Sequence, residues 1–219
     1  MKTKQMRRSQ VSGIYAITPE TEDTGELLAN VSTALTGGVR LFQYRNKTGS
    51  DQLRREQCQA LLDLVSACDG ILIVNDSAEL ASEVNAHGVH LGKDDESVAD
   101  ARQKLGPDKI IGASCYNDLA RAHALQAAGV DYVAFGSFFQ SVTKPAAVSA
   151  TVDLLSRAKS ELEVPVVAIG GINRDNAAML IEAGADALAV VSGLFSVNDV
   201  EQEARILLSL INRHRLQVH

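Results

Sequence analysis

The sequence predicts an α/β fold, because short β-branched runs alternate eight times with longer segments of helical periodicity. Strands that are separated by helices must run parallel, since each connection has to cross over the sheet. Eight such units in 219 residues predict a closed (β/α)₈ TIM barrel near the lower end of its usual size. The alternative is an open doubly wound sheet, but TPETED stands where that fold places a GxGxxG turn.

Each predicted element is either a short apolar run or a longer segment with apolar residues three and four apart. The strands are predicted at 13–18, 39–45, 71–76, 88–92, 110–114, 132–137, 166–171 and 187–193. The helices are predicted near 23–36, 51–67, 77–86, 97–105, 118–128, 152–161, 174–183 and 199–213. Glycine is favoured just after a helix end, and it follows four of these helices, at Gly37, Gly106, Gly129 and Gly184.

The length and the apolar content predict a single domain over residues 1–219, with residues 1–11 as a flexible N-terminal arm. The chain is 46% hydrophobic, enough for one sizeable core, and no linker or low-complexity segment divides it. No apolar run approaches the roughly 20 residues of a membrane span, so no membrane partner is expected. The net charge of −6 and the 4% aromatic content disfavour a nucleic-acid binder.

The cysteines and histidines carry little evidence of chemistry. Cys58, Cys68 and Cys115 form no CxxC pair, which is typical of a reducing compartment and predicts a cytoplasmic protein. Cys115 has no evident base partner and is interpreted as a small buried residue. His87 and His90 lie three apart in a predicted strand, so they face opposite ways and do not suggest a shared metal site. A homo-oligomer stays open.

Polar side chains are concentrated at the carboxyl ends of the predicted strands, where barrels of this class carry their active sites. The second strand reads LFQYRNK, and its alternation puts Gln43, Arg45 and Lys47 on one face. The other strand ends contribute Asn75, Asp76, Asp94, Asp95, Ser114, Ser141, Thr143, Lys144, Gly170, Gly171, Val191, Ser192 and Gly193. The opposite strand ends carry nothing comparable, so the chemistry is predicted to lie at one edge of the barrel.

Two carboxylates and three cations at this edge predict a metal-assisted pyrophosphate site. Asp76 and Asp95, from neighbouring strands, suit Mg²⁺, which takes one or two protein carboxylates together with substrate phosphate oxygens. Arg45, Lys47 and Lys144 suit the remaining charge of a pyrophosphate group, Arg as a planar fork and Lys as a point charge.

A second anion site is predicted where strands seven and eight end, at 170–171 and 191–193, because the helices that follow present backbone N–H groups. Two simpler interpretations stay open. The Asn-Asp pair at 75–76 could cap the third helix, and Asp94 could lie in a solvated turn.

In this order, the motifs resemble those of the thiamine-phosphate synthase family. The family has a Q-x-R-x-K strand, present as QYRNK, an N-D pair after strand three, and an H-L-G-[QK]-[ED]-D segment, present as HLGKDD. A G-x-S, a [ST]-x-T-K loop, an A-I-G-G-I strand and a final V-S follow, present as GAS, SVTK, AIGGI and VS. The resemblance spans about residues 13–195, and the ordered set is specific although no single motif is.

The resemblance implies a transferase of thiamine biosynthesis, of the type that transfers alkyl or aryl groups. Such an enzyme joins 4-amino-5-hydroxymethyl-2-methylpyrimidine diphosphate to 4-methyl-5-(2-phosphoethyl)thiazole, giving thiamine phosphate and pyrophosphate. Asp76 and Asp95 would hold Mg²⁺ as the cofactor. The charge of the leaving group would be stabilised by Arg45, Lys47 and Lys144, without a covalent nucleophile.

The resemblance also implies which residues bind the two small-molecule substrates. Those implied for the pyrimidine diphosphate are Gln43, Tyr44, Arg45, Asn46, Lys47, Asn75, Ser114 and Lys144. Those implied for the thiazole phosphate are Ser141, Val142, Thr143, Gly171, Val191 and Ser192.

Three other functions stay open. A thiazole tautomerase of the same fold would have no need of the diphosphate set. A sugar-phosphate isomerase could use Asp76 and Asp95 as acid and base, but it would work in the presence of a chelator. A non-catalytic thiamine-phosphate binding protein would not require the full set of carboxylates and cations.

Overall fold

The structure, a computed structural model, describes residues 3–139 and 150–217. Within these ranges eight parallel strands close into a barrel in sequence order, and the eighth strand pairs with the first. The strands are β1 Gly13–Ile17, β2 Leu41–Tyr44, β3 Ile71–Asn75, β4 Gly88–Leu91, β5 Ile110–Tyr116, β6 Tyr132–Phe135, β7 Val166–Ile169 and β8 Ala187–Val190. The predicted (β/α)₈ TIM barrel is confirmed.

Helices surround the barrel, and side chains cap the N-termini of most of them. The helices are α1 Lys4–Ser9, α2 Thr24–Thr36, α3 Asp51–Ser66, α4 Ala78–Glu83, α5 Val98–Leu105, α6 Leu119–Ala128, α7 Val152–Glu161, α8 Ala177–Glu182, α9 Ser192–Phe195 and α10 Val200–Gln217. Asp118, for example, accepts a hydrogen bond from the Arg121 amide at the start of α6. Among the helices in the described ranges, none is both long and apolar enough to cross a membrane.

Strand alternation divides the buried apolar side chains into two sets. One set fills the barrel interior and includes Tyr15, Ile17, Leu41, Ile73, Ile110, Tyr132 and Val167. The other set lies between the strands and the helices and includes Phe42, Tyr44, Leu72, Val74, Val89 and Leu188. Because consecutive residues of a strand belong to different sets, the strand register decides which polar side chains can reach the barrel interior.

The N-terminal segment differs from the prediction, because residues 4–9 form helix α1 where a flexible arm is expected. Arg7 of this helix is buried, and its guanidinium donates to Asp131 Oδ1 at 2.9 Å and to the Pro107 carbonyl at 2.6 Å. Asp131 is fully buried and also accepts from Arg102 and from the Ile111 amide. A buried carboxylate is stable only with such partners, so this ion cluster holds α1 against the barrel.

Removing the Asp131 carboxylate is expected to destabilise the fold strongly. Asp131→Ala removes the buried carboxylate that Arg7 and Arg102 share, so the free energy of unfolding should fall by about 3–5 kcal/mol. Glu161→Ala is the control, since Glu161 makes only surface ion pairs with His123 and Arg157, which water screens. Urea unfolding of both variants measures the effect, and equal losses would contradict the assigned role of the buried cluster.

Candidate active site

We call the carboxyl-terminal edge of the barrel, formed by the residues that follow each strand, the rim. At the end of β2, Gln43 lies inside the barrel and donates from Nε2 to the Tyr15 hydroxyl at 2.9 Å. The alternate residue Tyr44 points the other way, and its hydroxyl donates to Gln57 Oε1 of α3 at 2.9 Å. Asn46 also donates to Gln57 Oε1, at 3.1 Å. Tyr44 and Asn46, both in the predicted substrate-binding set, therefore pack against α3 and away from the barrel interior.

Both described cations of the predicted pyrophosphate set are paired with carboxylates. Arg45 forms an ion pair with Glu20, which lies in the loop after β1. Lys47 Nζ lies 2.9 Å from Asp76 Oδ2, and its side chain is 51% exposed. The pairs hold the two cations at the rim, where an anionic ligand could exchange for the carboxylates.

The two predicted metal ligands meet at Gly92, just after β4. Asp95 Oδ2 accepts a hydrogen bond from the Gly92 amide at 2.5 Å. A Cβ atom at Gly92 would lie 2.9 Å from Asp95 Oδ2 and 3.9 Å from Asp76 Oδ1. Residues from the ends of β3 and β4 thus bring two carboxylates to one point, as the sequence predicts.

The backbone at the end of β3 aims Asp76 away from a capping position. Asp76 adopts φ 65°, a left-handed conformation that Asp tolerates better than most residues and that often marks functional sites. Helix α4 is capped by Ser77, whose hydroxyl accepts from the Leu80 amide at 3.1 Å. The simpler interpretation, that the Asn-Asp pair at 75–76 caps this helix, is therefore wrong.

The pKa values of the two carboxyl groups are shifted in opposite directions. Burial alone would raise the pKa of Asp76, but the hydrogen bond and the charge of Lys47 outweigh it and lower that pKa. Partial burial raises the pKa of Asp95, and the negative charge of Asp76 adds to the effect despite the Gly92 amide. Two close carboxylates without a full counter-charge are the electrostatic condition in which a divalent cation binds well.

The predicted second anion site lies where β7 and β8 end. Gly170 and Gly171 have φ of 108° and 62°, which turns the chain sharply after β7. Strand β8 ends at Val190, and Ser192–Phe195 form α9 instead of continuing the strand, which corrects the predicted boundary at 193. A Cβ at Gly193 would lie 2.1 Å from the Ile172 carbonyl oxygen, so glycine lets α9 pack tightly on the preceding turn.

Four predicted substrate-binding residues lie in a part of the chain that the structure does not describe. They are Ser141, Val142, Thr143 and Lys144, which lie outside the described residues. Among the described residues, no group of three or more His, Cys, Asp or Glu side chains is arranged to hold a metal ion.

The sequence interpretation missed a polar cluster inside the barrel. His90 is 7% exposed, with Nδ1 at 2.9 Å from the Tyr132 hydroxyl and Nε2 at 2.9 Å from Ser114 Oγ. The Tyr132 hydroxyl lies 2.8 Å from that of Tyr15. Period-two alternation would have placed His90 inside, but its partners belong to β1, β5 and β6 and only barrel closure brings them together.

The family model described as thiamine monophosphate synthase matches residues 14–194 of this chain. The chain belongs to the thiamine monophosphate synthase family. As a member, it is a transferase of thiamine biosynthesis. The resemblance in the ordered motifs is thereby confirmed.

Relatives of this thiamine monophosphate synthase family member match it over most of its length. The thiamine-phosphate synthase of Nitrosospira multiformis is 51% identical over 94% of this chain and 88% of that protein. That of Thiobacillus denitrificans is 54% identical over 90% of this chain and 93% of that protein. A solved structure of a thiamine phosphate pyrophosphorylase from Pyrococcus furiosus is 31% identical, with a TM-score of 0.83 over 95% of this chain and 98% of that one.

The buried His90 makes a pH-dependent contribution to stability. Burial lowers the pKa of His90 from 6.5 to about 4, against the opposing charge of Asp76. Between these values the unfolded chain binds a proton at this site and the folded chain does not, so stability falls as the pH falls from 6.5 to about 4.

His90→Gln should remove this dependence. We expect the wild-type free energy of unfolding to drop by up to about 3 kcal/mol more than that of the variant across this pH window. Urea unfolding of both proteins at several pH values gives the difference directly. A difference that stays constant with pH would contradict the neutral, buried state of His90.

Proposed function

We propose that this chain condenses 4-amino-5-hydroxymethyl-2-methylpyrimidine diphosphate with 4-methyl-5-(2-phosphoethyl)thiazole, giving thiamine phosphate and pyrophosphate. The observation that carries the proposal is the convergence of Asp76 and Asp95 at Gly92, with Lys47 beside them. An isomerase could use the two carboxylates as acid and base but has no need of a cation beside them, and a binding protein does not require the full set, whereas a diphosphate leaving group uses both. The names of the relatives, thiamine-phosphate synthases, support the same reaction.

We assign Mg²⁺ to the two carboxylates as the cofactor. Asp76 and Asp95 supply hard oxygen ligands from two neighbouring strands, and Gly92 leaves the space beside them free of a side chain. Two protein carboxylates are the usual share for Mg²⁺, which keeps positions for water and phosphate oxygens. When bound, the ion would neutralise charge that develops on the leaving pyrophosphate.

The cations of the rim bind the rest of the diphosphate in this proposal. Arg45 and Lys47 are held in place by Glu20 and Asp76, and the substrate oxygens replace or share these carboxylate partners. Lys144 belongs to the same set by its position in the SVTK motif. The pyrimidine is bound from inside the rim by Gln43, Asn75 and Ser114, which lie at inward-facing positions of β2, β3 and β5.

The thiazole phosphate binds in this proposal at the second anion site. Support comes from the turn at Gly171 and from the first residues of α9, which present N–H groups that have no partner within the helix. Val191 and Ser192 lie at that helix start, and residues 141–143 complete the set by motif.

The protein's chemical tasks are to stabilise charge and to position two substrates. The bond between the pyrimidine methylene carbon and the pyrophosphate oxygen breaks, and both electrons leave with the pyrophosphate. The resulting cation is stabilised by the 4-amino group, and the thiazole nitrogen then supplies the electron pair of the new C–N bond. No protein nucleophile is required, which agrees with the burial that raises the pKa of the Cys115 thiol to about 12. Positioning and charge stabilisation are enough for such a reaction.

We further propose that the enzyme acts in the cytoplasm. Cys58, Cys68 and Cys115 are all free thiols, and Cys58 and Cys115 are buried in the core. Free thiols are the usual state of cysteines in a reducing compartment.

The direct test mixes protein, both substrates and Mg²⁺ and follows thiamine phosphate and pyrophosphate. We expect both products in equal amounts, and none above background when a chelator replaces Mg²⁺. Turnover of a single substrate alone, or equal rates in chelator, would support the tautomerase or isomerase alternatives instead.

Loss of the Asp76 charge is expected to slow the reaction far more than loss of a neighbouring charge. Asp76→Asn keeps a residue that tolerates φ 65° and should lower kcat by about 10²–10³-fold, since charge on the leaving group is less well neutralised. Asp94→Asn is the matched control, because Asp94 is exposed beside Asp95 in the loop after β4 and should leave kcat within about twofold. Equal kcat values for the two variants would show that Asp76 has no special role.

A further inference from the structure

Five side chains from five strands form one hydrogen-bonded chain across the barrel interior, which we call the interior chain. It runs from Gln43 through Tyr15, Tyr132 and His90 to Ser114, with successive separations of 2.9, 2.8, 2.9 and 2.9 Å. Its three middle members are almost completely buried. Its two ends, on β2 and β5, are residues that the proposed function assigns to the pyrimidine.

One group in the interior chain sets the direction of every hydrogen bond in it. The Gln43 Nε2 group can only donate, so the Tyr15 hydroxyl must accept from it and give its own proton to Tyr132. The Tyr132 hydroxyl then gives its proton to His90 Nδ1. The opposite direction would leave the Tyr15 proton without an acceptor in a buried position, which is costly.

The donor-to-acceptor direction along the interior chain fixes the tautomer of His90. The Nδ1 atom that accepts from the Tyr132 hydroxyl carries no proton, so the imidazole is neutral and carries one proton. Because Nδ1 accepts from Tyr132, that proton is on Nε2, which donates to Ser114 Oγ. The hydroxyl proton of Ser114 is then free to point toward the rim.

We propose that Tyr15, Tyr132 and His90 are positioning residues that make Gln43 an acceptor and Ser114 a donor toward the substrate. The Gln43 amide donates one of its two N–H groups to Tyr15 and offers its carbonyl oxygen. Ser114 accepts from His90 and offers its proton. An aminopyrimidine matches this pair, since it carries an exocyclic N–H donor and ring-nitrogen acceptors.

A glycine makes room for Tyr132, the middle residue of the interior chain. A Cβ at Gly112, the first residue of the GAS motif on β5, would lie 1.9 Å from the Tyr132 ring. The Tyr132 ring also stacks on His90, with ring centroids 5.5 Å apart. The space at Gly112 therefore sets the ring position, and with it the separation between the Tyr132 hydroxyl and His90 Nδ1.

The first experiment is ¹⁵N NMR of the histidine side chains at neutral pH, in protein without substrates. The His90 signals are assigned by their absence in His90→Gln. We expect a protonated Nε2 and an unprotonated Nδ1. A protonated Nδ1 would overturn the proposal, because Ser114 would then have to donate to His90 and could only accept from substrate.

The second experiment is a double-mutant cycle on the enzymatic reaction. Tyr132→Phe removes one hydroxyl from the interior chain and should lower kcat/KM for the pyrimidine diphosphate by about tenfold, with KM for the thiazole phosphate unchanged. In a Ser114→Ala background the same substitution should change kcat/KM by less than about twofold, because its effect passes through Ser114. Equal losses in both backgrounds would indicate a purely structural role and overturn the proposal.

The two experiments separate this proposal from the proposed function on which it rests. The NMR experiment needs no substrate, so it tests the assigned His90 tautomer even if the wild-type protein forms no thiamine phosphate. If Tyr132→Phe does not fold, Tyr15→Phe is used. This variant removes the hydroxyl that connects Gln43 to the rest of the interior chain. That variant should populate both His90 tautomers, and an unchanged tautomer would contradict the direction assigned from Gln43.

Discussion

The closed barrel with its strict alternation is the constraint on which the rest of the structure depends. Because consecutive residues of each strand face opposite ways, apolar residues such as Phe42 and Leu72 pack under the helices while Gln43 faces the interior. Closure in sequence order then brings the ends of β2, β3, β4 and β5 side by side. The same alternation therefore builds the core and assembles polar groups from distant parts of the sequence.

Charge balance at the rim follows from that assembly. Asp76 and Asp95 crowd one another at Gly92, and Lys47 compensates Asp76 but leaves Asp95 with a raised pKa. A site of this kind gains from a divalent cation and from an anionic ligand together, because each reduces the repulsion that the other would meet. Inside the barrel, next to the rim, the interior chain consists of polar side chains that are hydrogen-bonded to one another. Such a satisfied network is rigid, so it holds Gln43 and Ser114 in place.

Local patterns in the sequence were enough to predict the closed barrel and the opposite faces of Gln43 and Tyr44. They failed where stability comes from distant partners. Helix α1 has no apolar periodicity and depends on Arg7 meeting Asp131, 124 residues away. His90 is uninformative without Tyr132 and Ser114. Tyr44 and Asn46 belong to the substrate-binding set that the family resemblance implies, and the hydrogen bonds of their side chains to α3 could not be predicted from local sequence.

The central claim is that Asp76 and Asp95 make the rim a metal-dependent diphosphate site. Calorimetric titration of the protein with inorganic pyrophosphate, in Mg²⁺ and in chelator, tests this most directly. The account predicts that Mg²⁺ strengthens binding by at least about tenfold, because two protein carboxylates and the ligand oxygens share the ion. Equal affinity in chelator would contradict it, since the cations alone would then account for the site.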